Sequence, residues 1–123
     1  MEGFSIITYK SKEIYYADYS VTNGSKEQLL KLINDLSDMF INQPRKSVLI
    51  LTNIANIHFD INVLKAMRDL NSKISPFIKK IAIFGIESLF LSGYNFVTGI
   101  QPSELCSKAF CSELEAKEWL AAN

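Results

Sequence analysis

Three short apolar runs, Val48-Leu49-Ile50-Leu51, Ile81-Ala82-Ile83-Phe84 and the stretch around Ala109-Phe110, each precede a segment of helical periodicity. A strand followed by a crossover helix returns the chain parallel to its predecessor, so this repeated order confines the chain to a parallel-sheet α/β arrangement. The continuous apolar character of the first run predicts a strand buried on both faces.

The elements can be placed from local signals. Phe4 to Tyr9 and Glu13 to Tyr19 are rich in Ile, Tyr and Thr and flank the polar turn Lys10-Ser11-Lys12, which predicts an antiparallel hairpin. Ser25 with Gln28 opens a helix carrying Leu29, Leu32, Ile33, Leu36, Met39 and Phe40, broken near Pro44. A strand over Lys46 to Thr52 follows, and Asp60 is placed to cap a helix carrying Leu64, Met67, Leu70 and Ile74, ended by Pro76. A strand over Lys80 to Ile86 leads into a helix over 87–99, and a last strand runs near Ser107 to Cys111. Ser112 with Glu115 then caps a terminal helix whose Ala116, Trp119 and Leu120 share one face. One domain over 1–123 accounts for all of this, with no linker or internal residue-level repeat.

Charge excludes some partners. Thirteen basic residues balance 13 acidic ones, so long-range attraction to nucleic acid has no source, and the pairs Arg45-Lys46 and Lys79-Lys80 read as solvated strand ends. The start Met1-Glu2-Gly3-Phe4 has no basic stretch leading into an apolar one, so a cytoplasmic location is expected. Cys106 and Cys111 have an odd separation, which within one strand puts them on opposite faces and predicts free thiols. Ile81 to Ile100 carries a single charge, Glu87, and is long enough to span a membrane, but its Ser, Asn, Thr and Gly content fits a buried strand plus an apolar helix.

Catalytic constellations are not recognisable. There is no G-x-S-x-G, C-x-x-C or H-E-x-x-H, and Gly85, Gly93 and Gly99 are too scattered to cradle a phosphate, so no catalytic, cofactor-binding or metal-ligating residue is assigned and no cofactor is expected. His58, the one histidine, falls with Asp60 and Asn62 in a strand-to-helix loop, on the side where open α/β sheets bind ligands. It is a candidate loop site, although His58 reads as a plain loop residue and Asp60 as a helix cap. Asp18, at the end of the hairpin, is expected to satisfy turn donors.

The anomaly is the helix over 87–99. Leu89, Gly93, Phe96 and Ile100 define a core face, while Phe90, Leu91, Tyr94 and Val97 extend the apolar arc past half the circumference. A helix docked on a sheet needs a stripe of only about 100°, so the surplus must meet another helix, a partner chain, an apolar ligand or a lipid surface. Phe90, Leu91, Tyr94 and Val97 are therefore the candidate interface or ligand face.

The hairpin ending Tyr15-Tyr16-Ala17-Asp18-Tyr19-Ser20, the strand Lys80-Ile81-Ala82-Ile83-Phe84-Gly85 and the ending Ala109-Phe110-Cys111-Ser112 through Trp119-Leu120 resemble the STAS-like domains, in the branch similar to bacterial anti-sigma factor antagonists. The resemblance implies a βα superhelix: an N-terminal β-hairpin plus three βα units in a mixed sheet, with helices mainly on one face. CRAL-TRIO lipid-binding domains are similar in architecture. The antagonists carry a phosphorylatable Ser in an Asp-Ser-Ser-Gly-like sequence at the position where this chain reads Ile57-His58-Phe59-Asp60-Ile61-Asn62. Neither the Ser nor the Gly is present, so the resemblance does not carry phosphorylation over to this chain. What it implies is a non-enzymatic interaction or signalling module, with a protein partner or a homodimer. The alternative expectation is a protein that binds a small apolar ligand or lipid and touches a membrane surface through the helix over 87–99.

Overall fold

The computed structural model describes residues 3–22, 25–41, 43–44, 47–55, 61–85 and 107–122, with the backbone alone at 61, 63, 64 and 107. The helix expected over 87–99, the cap expected at Asp60, and Cys106, Arg45 and Lys46 lie outside those residues.

The chain begins as expected, with the hairpin β1 (Phe4–Tyr9) and β2 (Lys12–Asp18). The turn, however, is two residues long. Lys10 and Ser11 both have positive φ, 50° and 66°, and Lys12 already pairs with Tyr9. Two successive left-handed residues form the turn type whose twist matches the flanking strands. Lacking the Asn-Gly that usually marks it, the sequence conceals this turn. Tyr19, expected in the strand, instead starts a 3-10 turn over Tyr19–Thr22. The Asp18 carboxylate bends the chain there by accepting the Ser20 N–H at 3.0 Å and the Ser20 hydroxyl.

Helix α1 (Lys26–Phe40) starts at Ser25, whose hydroxyl accepts the Gln28 N–H. It buries Leu29, Leu32, Ile33, Leu36 and Phe40, the stripe predicted from their spacing. Next come β3 (Val48–Asn53) and α2 (Ile61–Ile74), which buries Met67, Leu70 and Ile74. A 3-10 turn at Ser75–Phe77 contains Pro76 and ends α2, as its missing N–H and fixed φ require.

Strand β4 (Ile78–Phe84) begins two residues before the predicted start at Lys80. Val48 pairs with Ile78 but Leu49 pairs with Lys80, so Lys79 is an extra residue that bulges outward. The bulge lets Ile78 be fully buried although two lysines follow it. Strand β5 (Ser107–Ala109) is shorter than predicted, and α3 (Glu113–Ala121) starts at the Ser112 cap, whose hydroxyl accepts the Glu115 N–H at 3.2 Å. Cys111 therefore lies outside the strand, exposed and with a free thiol.

The sheet order is β1-β2-β3-β4-β5, antiparallel only between β1 and β2. Successive side chains of a strand face opposite ways. Val48 and Ile50 therefore join Ile81, Ile83 and the buried stripes of α1 and α2, whereas Leu49, Leu51 and Ala82 join Ala116 and Leu120 of α3. Each Val, Leu or Ile among these contributes about 1.5–3 kcal/mol when fully buried, and β3 is covered on both sides. Two described helices occupy one face and α3 the other.

Candidate functional site

Because β2 to β5 are parallel, their carboxyl ends converge on one edge of the sheet, where open α/β sheets leave a crevice. Asn53 organises that edge at the end of β3. Its side-chain oxygen accepts the Ala55 N–H at 3.0 Å, and its amide donates to the Tyr16 hydroxyl at 3.5 Å. Beside it, the Ile54 N–H donates to the Phe84 carbonyl at 2.9 Å, which carries the β3–β4 contact one step past the strands.

Gly85 closes the pinch. Its φ is +100°, and a Cβ there would sit 2.7 Å from both the Ala55 nitrogen and the Asn53 side-chain oxygen. Only glycine combines that backbone conformation with so close an approach. The described residues that precede 56–60 and 86–106, Ala55 and Gly85, are consequently neighbours.

Tyr16 faces the α3 side of this edge, its ring 6.4 Å from that of Phe84. Burial raises its phenol pKa, and the hydrogen bond from Asn53 works in the opposite direction. The phenol stays neutral and serves as a hydrogen-bonding spacer. Asp18 is bound into its own turn, as expected from the sequence. The described polar groups of the edge thus build turns and hold the end of β3 against the end of β4.

Of the candidate loop site, Asn62 is described and lies exposed in the first turn of α2, while His58 and Asp60 lie outside the described residues. So do Phe90, Leu91, Tyr94 and Val97. Asn53, Tyr16 and Gly85 were not singled out as site residues from the sequence. An Asn and a Gly each directly ending an apolar strand were the available signal.

Among the described residues, no group of three His, Cys, Asp or Glu side chains could hold a metal, and no helix is long and apolar enough to cross a membrane. Between α1, α2 and the sheet lies a cavity of about 30 Å³ bordered by Leu36, Ile50, Met67 and Asn71, room for about one water molecule. A more open groove of about 440 Å³ runs between α1 and α2, edged by Asn34, Ser37, Asp69 and Lys73.

The opposite edge is a structural clasp. The Lys80 ammonium donates to the Trp119 and Ala122 carbonyls, both at 2.8 Å, and lies 5.0 Å from the centre of the Trp119 ring. It supplies the cation that the last turn of α3 lacks in its own sequence, so the lysine read as a solvated strand end is a helix cap. Nearby, Glu118 accepts from the Tyr9 hydroxyl and, at 2.6 Å, from Lys10; these hydrogen bonds, that from Lys10 foremost, hold its carboxyl below the usual range. Lys80→Met is expected to lower stability by about 1–2 kcal/mol and to speed amide exchange in the last turn of α3. Exchange there as slow as in the unaltered protein would remove the clasp.

No protein-family model and no curated protein matches the sequence. The structure is similar to that of an uncharacterized protein from the DUF3478 family with a SpoIIAA-like fold, from Shewanella loihica PV-4. The TM-score is 0.68 and the identity 16%, over 96% of this chain and 92% of that one. The fold is SpoIIAA-like, the architecture implied by the STAS-like resemblance of the hairpin and βα units.

Proposed function

We propose that the chain is a non-enzymatic, cytoplasmic, STAS-like protein-interaction module that meets its partner with the carboxyl edge of the sheet. One observation supports this reading: the close approach of Gly85 to Ala55 and Asn53 makes neighbours of the residue that precedes His58 and Asp60 in sequence and the residue that precedes Phe90, Leu91, Tyr94 and Val97. Asn62 lies exposed two residues beyond that loop. The partner is a protein surface with an apolar patch, because the candidate face is apolar and its burial stabilises by about 25 cal/mol per Å² before the costs of association. Without a Ser or Thr at 57–62, the surface is not switched by phosphorylation at that position.

A photo-crosslinking residue at position 91 tests the proposal. It is expected to trap a discrete protein in a cell extract, and unlabelled protein should compete the adduct away whereas Leu91→Asp, folded by circular dichroism, should not. Equal competition by Leu91→Asp sinks this surface, and a turnover activity lost in His58→Ala would replace the module with an enzyme.

A further inference from the structure

Strand β1 is an outer strand of the sheet and, among the described residues, pairs only with β2. Its sequence Phe4-Ser5-Ile6-Ile7-Thr8-Tyr9 contains no charge and no proline, and its pairing with β2 runs without a bulge. Those are the devices with which outer strands are normally protected from pairing with another chain. The other outer strand, β5, has only three residues and carries Lys108 at its centre. On β1, Ile6 is 53% exposed although isoleucine is usually buried.

The hairpin also dictates which backbone groups are open. In a two-residue hairpin the closing pair, here Tyr9 with Lys12, exchanges hydrogen bonds, and the pattern then alternates along the strand. Tyr9, Ile7 and Ser5 therefore turn their N–H and C=O groups toward β2. The same phase holds at the far end, where the Gly3 carbonyl accepts the Asp18 N–H at 2.7 Å. Phe4, Ile6 and Thr8 are left with their backbone donors and acceptors directed outward.

We propose that β1 pairs with β1 of a second copy of this chain, antiparallel, with Ile6 on the two-fold axis. A two-fold axis normal to the sheet keeps each face on its own side, so a residue of one face must oppose a residue of the same face. Centred on Ile6, the register sets Ile6 against Ile6 and Phe4 against Thr8, and these are the residues whose backbone groups point outward. All the open groups are then satisfied at once, by about six hydrogen bonds. The two exposed Ile6 side chains cover each other, and the two sheets become one. This surface is distinct from the carboxyl ends of β2 to β5.

Sedimentation across a concentration series tests the pairing. The unaltered protein is expected to pass from monomer to dimer, Ile6→Lys to stay monomeric while keeping the circular dichroism spectrum of the unaltered protein, and Leu91→Asp to dimerise as the unaltered protein does. A protein monomeric throughout, or a dimer lost in Leu91→Asp but kept in Ile6→Lys, overturns the proposal; the latter result would move self-association to the segment after Gly85. The register has its own test in a Cys106→Ser, Cys111→Ser background. Paired residues that exchange hydrogen bonds have Cα atoms about 5.5 Å apart, within reach of a disulfide. Ile6→Cys is expected to oxidise to a covalent dimer and Ser5→Cys, which would face Ile7, to remain monomeric. Failure of Ile6→Cys to bridge, or equal bridging by Ser5→Cys, refutes the register.

Discussion

Phe40→Ala is expected to lower stability by about 3–5 kcal/mol, seen as a fall in the denaturant midpoint at constant slope. Phe40 is 2% exposed and ends α1 over the hairpin, with its ring 6.3 Å from Phe4 and 5.6 Å from Tyr15. Phe4 and Tyr15 lie 5.8 Å apart, so three rings close the end of the core between α1 and the hairpin. Truncation removes the ring's transfer free energy and leaves a cavity that Phe4 and Tyr15 cannot fill while their strands stay paired. The loss is a large share of the 5–15 kcal/mol or so that holds an ordinary domain folded. A midpoint within the error of the unaltered protein would show that the hairpin packs on α1 in some other way.

Gly85→Val is expected to cost about 3 kcal/mol and to release the ends of β3 and β4 from each other. Two penalties coincide at this residue. A branched side chain is forced to a φ of +100°, and its Cβ is driven to 2.7 Å from a backbone nitrogen that has no room to retreat. The strain is relieved by parting the two strand ends, which breaks the hydrogen bond from Ile54 to Phe84. Amide exchange at Ile54 and Ala55 should therefore quicken more than exchange at Leu51, in the middle of β3. Binding of the crosslinked partner under the proposed function is expected to fall as well, because Ala55 and Gly85, from which the two candidate segments follow in sequence, are no longer held together. Uniform exchange along β3 would count against the pinch.

How much of this could be read from the residues differs from element to element. Ser25, Ser112 and the stripe of α1 are signals contained within a few neighbouring residues, and the structure places them where the sequence does. The errors fall where a distant segment sets the local geometry. Lys12 joins a strand because Tyr9 is its partner across a turn that has neither Asn nor Gly. Ile78 joins β4 because Val48 of another strand pairs with it, and the bulge at Lys79 has no local signature. Of the candidate site, Asn62 lies in the first turn of α2 rather than in the loop where the sequence reading puts it, while Asn53, Gly85 and Tyr16 become a unit only when β2, β3 and β4 lie side by side.

By itself the sequence determined the order of the described strands and helices, the alternation that sends Val48 and Ile50 one way and Leu49 and Leu51 the other, and the balance of basic and acidic residues. These follow from periodicity and charge, which act over one or two turns of chain. Tertiary structure alone decided that Lys80 caps α3, that Gly85 rests on Ala55, and that β1 is left on the outside with its Ile6 uncovered. Each of these depends on which segments become neighbours, a matter settled by the free energy of the whole packed arrangement rather than by the preferences of any one stretch.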